Sequence, residues 1–246
     1  LRVDPTDAAG GAPACSFRNS SLRRCNRITA SGARGAVGLI GDSVLLGSAD
    51  GFWGSSYAGL PTALAGRDYG PISYVASQGM TTFGKQGGLY WVDWWKANKF
   101  DPSLIVVNLG ANHLGECSPA DISRCSARIN TLLDAIASAF PTATVWCAKT
   151  NHETYGRGTG YSPGMLGWNL ALDAAAATRT NLVVWDWPTA LRTASPPIAT
   201  DGSAVHPSSG VEYAKRTALM VADILATTST ARSFSRFDVP VACGSR

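Results

Sequence analysis

Residues Gly35 to Ala49, GAVGLIGDSVLLGSA, decide the fold. The apolar run 36–40 breaks sharply at Gly41-Asp42-Ser43, and a second apolar run follows at once. A short strand that is apolar throughout and turns directly into a helix belongs in a parallel sheet covered on both faces. Similar runs recur as ISYVAS (72–77), SLIVVNL (103–109), TATVWCA (142–148) and NLVVWDW (181–187). Helical patterns fill the intervals. GGLYWVDWWKANKF sets Tyr90, Trp91, Trp94 and Trp95 on one face, and SPADISRCSARINTLLDAIASAF opens with Ser118 as its cap. MLGWNLALDAAAA and SSGVEYAKRTALMVADILAT complete the set. The alternation predicts one α/β domain, a three-layer αβα sandwich on a mostly parallel five-stranded sheet. Its expected bounds are 35–227, with an N-terminal extension at 1–34 and a C-terminal tail at 228–246 packed on the domain.

Composition narrows the function. The 246 residues are 45% hydrophobic and 15% charged, enough for a substantial core and unlike a disordered chain. The net charge of +4 is scattered, without basic blocks interleaved with aromatics, so a nucleic-acid surface is not expected. The basic SLRR (21–24) reads as a solvated loop. No run approaches the roughly 20 apolar residues of a membrane span. The polar, Pro/Gly/Ala-rich start reads as the beginning of a processed chain or an excised piece, not as a signal peptide. Six cysteines without a CxxC pair, beside three histidines, argue against a zinc site. Their spacing suits disulfides, 15–25 and 117–125 by proximity and 147–243 by elimination, and hence an oxidising compartment, the alternative being free buried thiols in a cytosolic protein. A monomer is expected.

In parallel sheets the working residues gather at the carboxyl ends of the strands. Gly41-Asp42-Ser43 follows the first strand, QGMTT with Gly79 the second, GANH with Asn112 and His113 the third, and KTNHETYG with His152 the fourth. ATDGSAVHPSSG, with Asp201 and His206, precedes the last helix. Covalent ester hydrolysis needs a nucleophile, a base and donors for an oxyanion. Ser43 and His206 supply the first two. The backbone N–H groups of Ser43 and Gly79 and the Asn112 amide supply the donors. A serine opening a helix is by itself more often only an N-cap.

These four ordered blocks resemble the SGNH, or GDSL, hydrolases. GDS stands at the nucleophile block, Gly79 at the second, LGANH where the family has GxND, and HPSSG at its end. The resemblance implies a flavodoxin-like SGNH fold and an acyl-enzyme mechanism without metal or organic cofactor. It makes Ser43 the nucleophile, His206 the base, and Ser43, Gly79 and Asn112 the oxyanion hole. Two positions depart from the pattern. Ser203 stands three residues before His206 where the family has an aspartate, leaving Asp201 to complete a triad or a backbone carbonyl to serve a dyad. His113 replaces the aspartate after Asn112. Metal-ligand roles for Asp42, Asn112, His113 and His206, as in metallophosphoesterases, lack the other Asp/His motifs of a binuclear centre.

IGDSVLLGSA, VVWDWPTA and DGSAVHPSSGVEYA also resemble secreted actinobacterial esterases and the extracytoplasmic SGNH domains attached to some membrane acyltransferases. The resemblance therefore implies a secreted or extracytoplasmic serine esterase acting on acyl esters, O-acyl groups on carbohydrate among them. An O-acyltransferase of cell-wall polysaccharide is the alternative, and a non-catalytic carbohydrate-binding domain the second. Trp53 in ADGFWGSSYAG, His113 and His152 are candidate substrate contacts. Trp91, Trp94 and Trp95 read as core or as sugar-stacking rings, and Trp185 and Trp187 as packing. Asp42 reads as a brace for the turn.

Overall fold

The computed structural model describes residues 23–28, 31–50, 59–83, 87–113, 115–152 and 163–233. Its strands are β1 (Arg23–Ile28), β2 (Val37–Gly41), β3 (Ile72–Ser77), β4 (Leu104–Asn108), β5 (Thr144–Ala148) and β6 (Leu182–Trp185). Its helices are α1 (Ser43–Asp50), α2 (Leu60–Ala65), α3 (Gly88–Ala97), α4 (Ser123–Ala139), α5 (Pro163–Ala176), α6 (Trp187–Thr193) and α7 (Gly210–Ser233). The sheet order is β1-β3-β2-β4-β5-β6, with β2 to β6 parallel and β1 antiparallel along β3. Leaving β1 aside, this is the doubly wound order of flavodoxin-like folds. Each of the five apolar runs contains one parallel strand.

The period-two alternation of the strands divides the core in two. Ile40, Val75, Ile105, Val107, Val145 and Cys147 pack beneath α3, α4 and α5. Val37, Leu39, Ile72, Leu104, Val106 and Trp146 face α1, α2, α6 and α7. Trp91 and Trp95 belong to the first cluster and Trp185 and Trp187 to the second, so all four are core side chains. Trp94 packs at the margin, half-buried.

Several sequence expectations change. β1 lies within 1–34, so that segment contributes a strand to the sheet and is not merely an extension. RRCNRI is too polar for a doubly covered strand but suits an edge, where charges discourage further pairing. α7 runs past 227 to Ser233. Ser118 does not cap α4, which begins at Ser123. Ser118 instead closes a turn on Asp121, whose Oδ1 accepts the Ser123 N–H at 2.9 Å. The Cys117–Cys125 disulfide, with Cα atoms 5.8 Å apart, ties that turn to α4. The 147–243 pairing is overturned: Cys147 is a free thiol inside β5, covered by helices, and burial pushes its pKa up to about 12. Cys15, Cys243 and the Cys25 side chain lie outside the described residues.

α7 is anchored along its length. A Cβ on Gly47 of α1 would stand 2.2 Å from the Tyr213 ring, so only glycine lets α1 and α7 cross this closely. Asp223 accepts the Trp146 indole N–H at 2.7 Å, and Thr228 and Tyr69 hydroxyls meet at 2.7 Å.

Candidate active site

Strand register brings the candidate residues to one edge. Gly41, the last residue of β2, pairs with Ala76 of β3 and Asn108 of β4. Ser43 therefore emerges between the turn holding Gly79 and the loop holding Asn112. This crevice beside β2 is the switch point where such sheets place their ligands.

The turn into α1 is built by Asp42. Its N–H donates to Asn108 O at 3.0 Å, its Oδ1 accepts the Val44 N–H at 3.0 Å, and its carbonyl accepts from Leu46. Asp42 thus braces the first turn, as expected, and the Ser43 hydroxyl is left for another partner. That partner is His206: Ser43 Oγ lies 2.7 Å from Nε2. His206 Nδ1 lies 3.2 Å from Asp201 Oδ2. A carboxylate only accepts, so the ring proton sits on Nδ1 and the Nε2 lone pair faces the serine.

Asp201 reaches the imidazole because its loop doubles back. Thr200 bridges Pro207, Asp201 N–H donates to His206 O at 2.8 Å, and Ala204 N–H donates to Asp201 O at 2.9 Å. Ala204 takes φ 57° to close the turn. Asp201 Oδ1 receives the Ser203 hydroxyl at 2.6 Å, the Ser203 N–H at 3.1 Å and the His206 N–H at 3.4 Å. Ser203 thus orients the carboxylate from the position where the resemblance expects an aspartate.

The oxyanion candidates are physically linked. Gly79 sits at φ 73° in the turn after β3, and Asn112 Nδ2 donates to Met80 O at 3.1 Å. One amide hydrogen of Asn112 is thereby spent on holding the Gly79 turn. The Ser43 N–H lies in the first turn of a helix, where amides lack intrahelical acceptors.

The other candidates fare differently. His113 is fully buried and stacks on Trp168, with centroids 4.5 Å apart and planes within 4°. Its Nε2 accepts the Thr82 N–H at 3.3 Å and its Nδ1 donates to Glu116 at 3.2 Å, so it is no substrate contact. Burial lowers its pKa, against the pull of Glu116. His152 is half-buried and its Nδ1 accepts from Asn169 at 3.0 Å. The neighbouring Asn151 donates to Ala204 O, pinning the loop after β5 to the His206 loop. Trp53 lies outside the described residues.

Sequence reasoning misses one buried hub. Arg216 of α7 is fully buried, donates to Ser48 Oγ and Asn108 Oδ1, and stacks over Trp187 (4.9 Å) and Trp185 (5.5 Å). Its charge pulls on the fully buried Asp42 carboxyl, which burial nevertheless pushes up to about 6. The signal is in the sequence: position 216 falls on the helical stripe of Tyr213, Met220 and Ile224, so an arginine there needs buried partners. Among the described residues no group of three or more His, Cys, Asp or Glu side chains is placed to hold a metal ion.

A serine hydroxyl on a histidine, itself on a carboxylate, thus stands at the carboxyl edge of an αβα sheet, an arrangement that nucleophilic-serine hydrolases use. The sequence profile of the GDSL-like lipase/acylhydrolase family matches residues 39–210, and the chain belongs to that family. A comparison with curated proteins finds no match. Among solved structures, a carbohydrate esterase family 2 enzyme from Myceliophthora fergusii aligns at 16% identity and TM-score 0.59, over 82% of this chain and 69% of that one. The catalytic domain of peptidoglycan O-acetyltransferase A from Streptococcus pneumoniae aligns at 20% identity and TM-score 0.54, over 82% and 96%. Est24, a carbohydrate acetylesterase from Sinorhizobium meliloti, aligns at 15% identity and TM-score 0.55, over 78% and 99%. At these identities the likeness is one of fold.

Proposed function

We propose that this chain is a serine esterase that hydrolyses acyl esters, with O-acyl groups on carbohydrate as its substrate class. The observation that carries the reading is the continuous chain Ser43 Oγ–His206 Nε2 at 2.7 Å and His206 Nδ1–Asp201 Oδ2 at 3.2 Å. Ser43 Oγ attacks the acyl carbon while its proton passes to Nε2, and Asp201 steadies the imidazolium. The carbonyl oxygen takes the negative charge and is met by the N–H groups of Ser43 and Gly79 and the Asn112 amide. Collapse expels the alcohol, protonated by His206. Water, deprotonated by His206, then releases the acid and restores Ser43. No step calls on a cofactor.

The carbohydrate assignment is supported by the names of the three structural neighbours given above, a carbohydrate esterase, a peptidoglycan O-acetyltransferase and a carbohydrate acetylesterase. An oxidising, extracytoplasmic setting is supported by the Cys117–Cys125 disulfide. No helix among the described residues is long and apolar enough to cross a membrane. The test is hydrolysis of p-nitrophenyl acetate and release of acetate from an acetylated glycan, together with labelling by a fluorophosphonate. Ser43→Ala should lose both activities, by roughly 10⁴- to 10⁶-fold in kcat, and the label. Full activity in the variant would sink the assignment. Acetyl transfer to an added glycan in preference to water would convert the reading to a transferase.

A further inference from the structure

Two adjacent residues of the loop after β4 grip the turn after β3 at two points. Asn112 donates to Met80 O, and His113 accepts from the Thr82 N–H two residues further on. The turn so held runs from Ser77 to Phe83 and carries Gly79. It is closed by Met80 N–H on Ser77 O at 3.1 Å and by the Thr81 hydroxyl on Phe83 O at 2.7 Å. Thr81 O and Thr82 O accept the Gly88 and Leu89 amides at the start of α3.

The His113 ring is itself immobilised. A backbone N–H can only donate, so the Thr82 contact makes Nε2 the acceptor and leaves the proton on Nδ1. That proton goes to Glu116 Oε2, and Glu116 is held in turn by an ion pair with Arg128 of α4. Arg128 also lies over the Phe83 ring, 4.9 Å from its centroid, so the same cation reaches the far end of the turn. Trp168 of α5 covers one face of the imidazole. Among the described residues, the charged groups facing His113 are therefore Glu116 from its own loop and Arg128 from α4. α5 contributes a neutral indole, and the β3 turn a backbone amide.

We infer that His113 is a positioning residue of the oxyanion hole: as the neutral Nδ1–H tautomer it holds Gly79 at its working place by accepting the Thr82 amide. The inference rests on the reading of Gly79 and Asn112 as oxyanion donors. A histidine that merely filled the core would be replaceable by any flat ring. A clamp is not, because only an acceptor at the Nε2 position satisfies Thr82. The tautomer also makes the clamp sensitive to acid. A second proton on Nε2 would set donor against donor at Thr82 and release the turn.

The experiment compares wild type, His113→Phe and His113→Gln. Phenylalanine keeps a ring on Trp168 but cannot accept, whereas the glutamine Oε1 can. His113→Phe is expected to lower kcat for p-nitrophenyl acetate by up to about a hundredfold, the cost of an ångström-scale misplacement, with KM little changed. Backbone amide exchange over 78–83 should rise in that variant, and His113→Gln should recover most of both losses. In wild type, protection over 78–83 should fall as the pH drops below the ordinary histidine range, while in His113→Gln it should stay level. Wild-type kcat and exchange in His113→Phe would overturn the inference, as would equal impairment of the two variants. Should His113→Phe not fold, the pH arm decides: parallel profiles for wild type and His113→Gln overturn the clamp. Ser43→Ala and Asn112→Ala run alongside. If neither slows hydrolysis, the esterase reading falls, while amide exchange still judges the clamp.

Discussion

Two groups of polar residues lie within a few residues of each other and obey opposite rules. The chain Ser43–His206–Asp201 is half-exposed, and Asp201 is held by short local bonds from its own loop. The hub of Asp42, Arg216, Asn108 and Ser48 is fully buried or nearly so and draws its members from three distant elements. The first group is open to solvent, where a change of charge is tolerated. The second is shut off from solvent and serves to hold α1, β4 and α7 in one arrangement. Activity and stability should therefore separate when each group is damaged.

Asp201→Asn should strike the first group hardest. The donors from Ser203 and His206 N–H fix the amide so that its oxygen takes the Oδ1 place and its NH₂ faces Nδ1. The imidazole then adopts the wrong tautomer, and kcat should fall about 10⁴-fold with little change in melting temperature. A loss below tenfold would show a dyad at work.

Arg216→Met should strike the second group, costing roughly 3–5 kcal/mol in denaturant unfolding by stranding Asp42. The Asp42 carboxyl pKa, raised from 3.8 to about 6, means that the folded state holds its proton more tightly than the unfolded chain. That contribution to stability is complete below about 4 and is lost as the pH rises through 6. Arg216 compensates the charge only where Asp42 is ionised, so the gap between variant and wild type should be widest near pH 8 and narrow towards pH 5. A gap independent of pH would refute the coupling.

Asn112→Ala should lower kcat roughly 10²- to 10³-fold by removing one oxyanion donor. It also frees Met80 O, so amide exchange should rise locally at that turn. Ser203→Ala is the mildest, about tenfold or less in kcat, because the Asp201 carboxylate keeps two backbone donors. An unchanged kcat would remove Ser203 from the orienting set.

The parallel sheet is legible in the sequence because its strands are covered on both faces and therefore read as unbroken apolar runs. β1 is not, since an edge strand paired on one side tolerates RRCNRI, which resembles a solvated loop. Ser43, His206, Gly79 and Asn112 are legible because strand ends in such sheets converge. Asp201 is only half legible: spacing along the chain cannot show that Thr200 pairs with Pro207 and turns the longer loop inwards. His113 and Arg216 are hardest to read, because their roles are set by Thr82, Glu116 and Trp168 in one case and by Asn108, Ser48 and two indoles in the other. Of these partners only Glu116 lies close in sequence, three residues after His113.

The anchoring of α7 bears on how the molecule fails when heated. The helix that follows the His206 loop is fastened near its start by Arg216 and further along by Asp223 and Thr228, to partners in α1, β4, β5 and Tyr69. A segment fastened at several points to the central sheet cannot peel away as a separate cooperative unit. Loss of turnover on warming and loss of tertiary structure should therefore coincide. A state in which the body stays folded while His206 has already swung out is not expected.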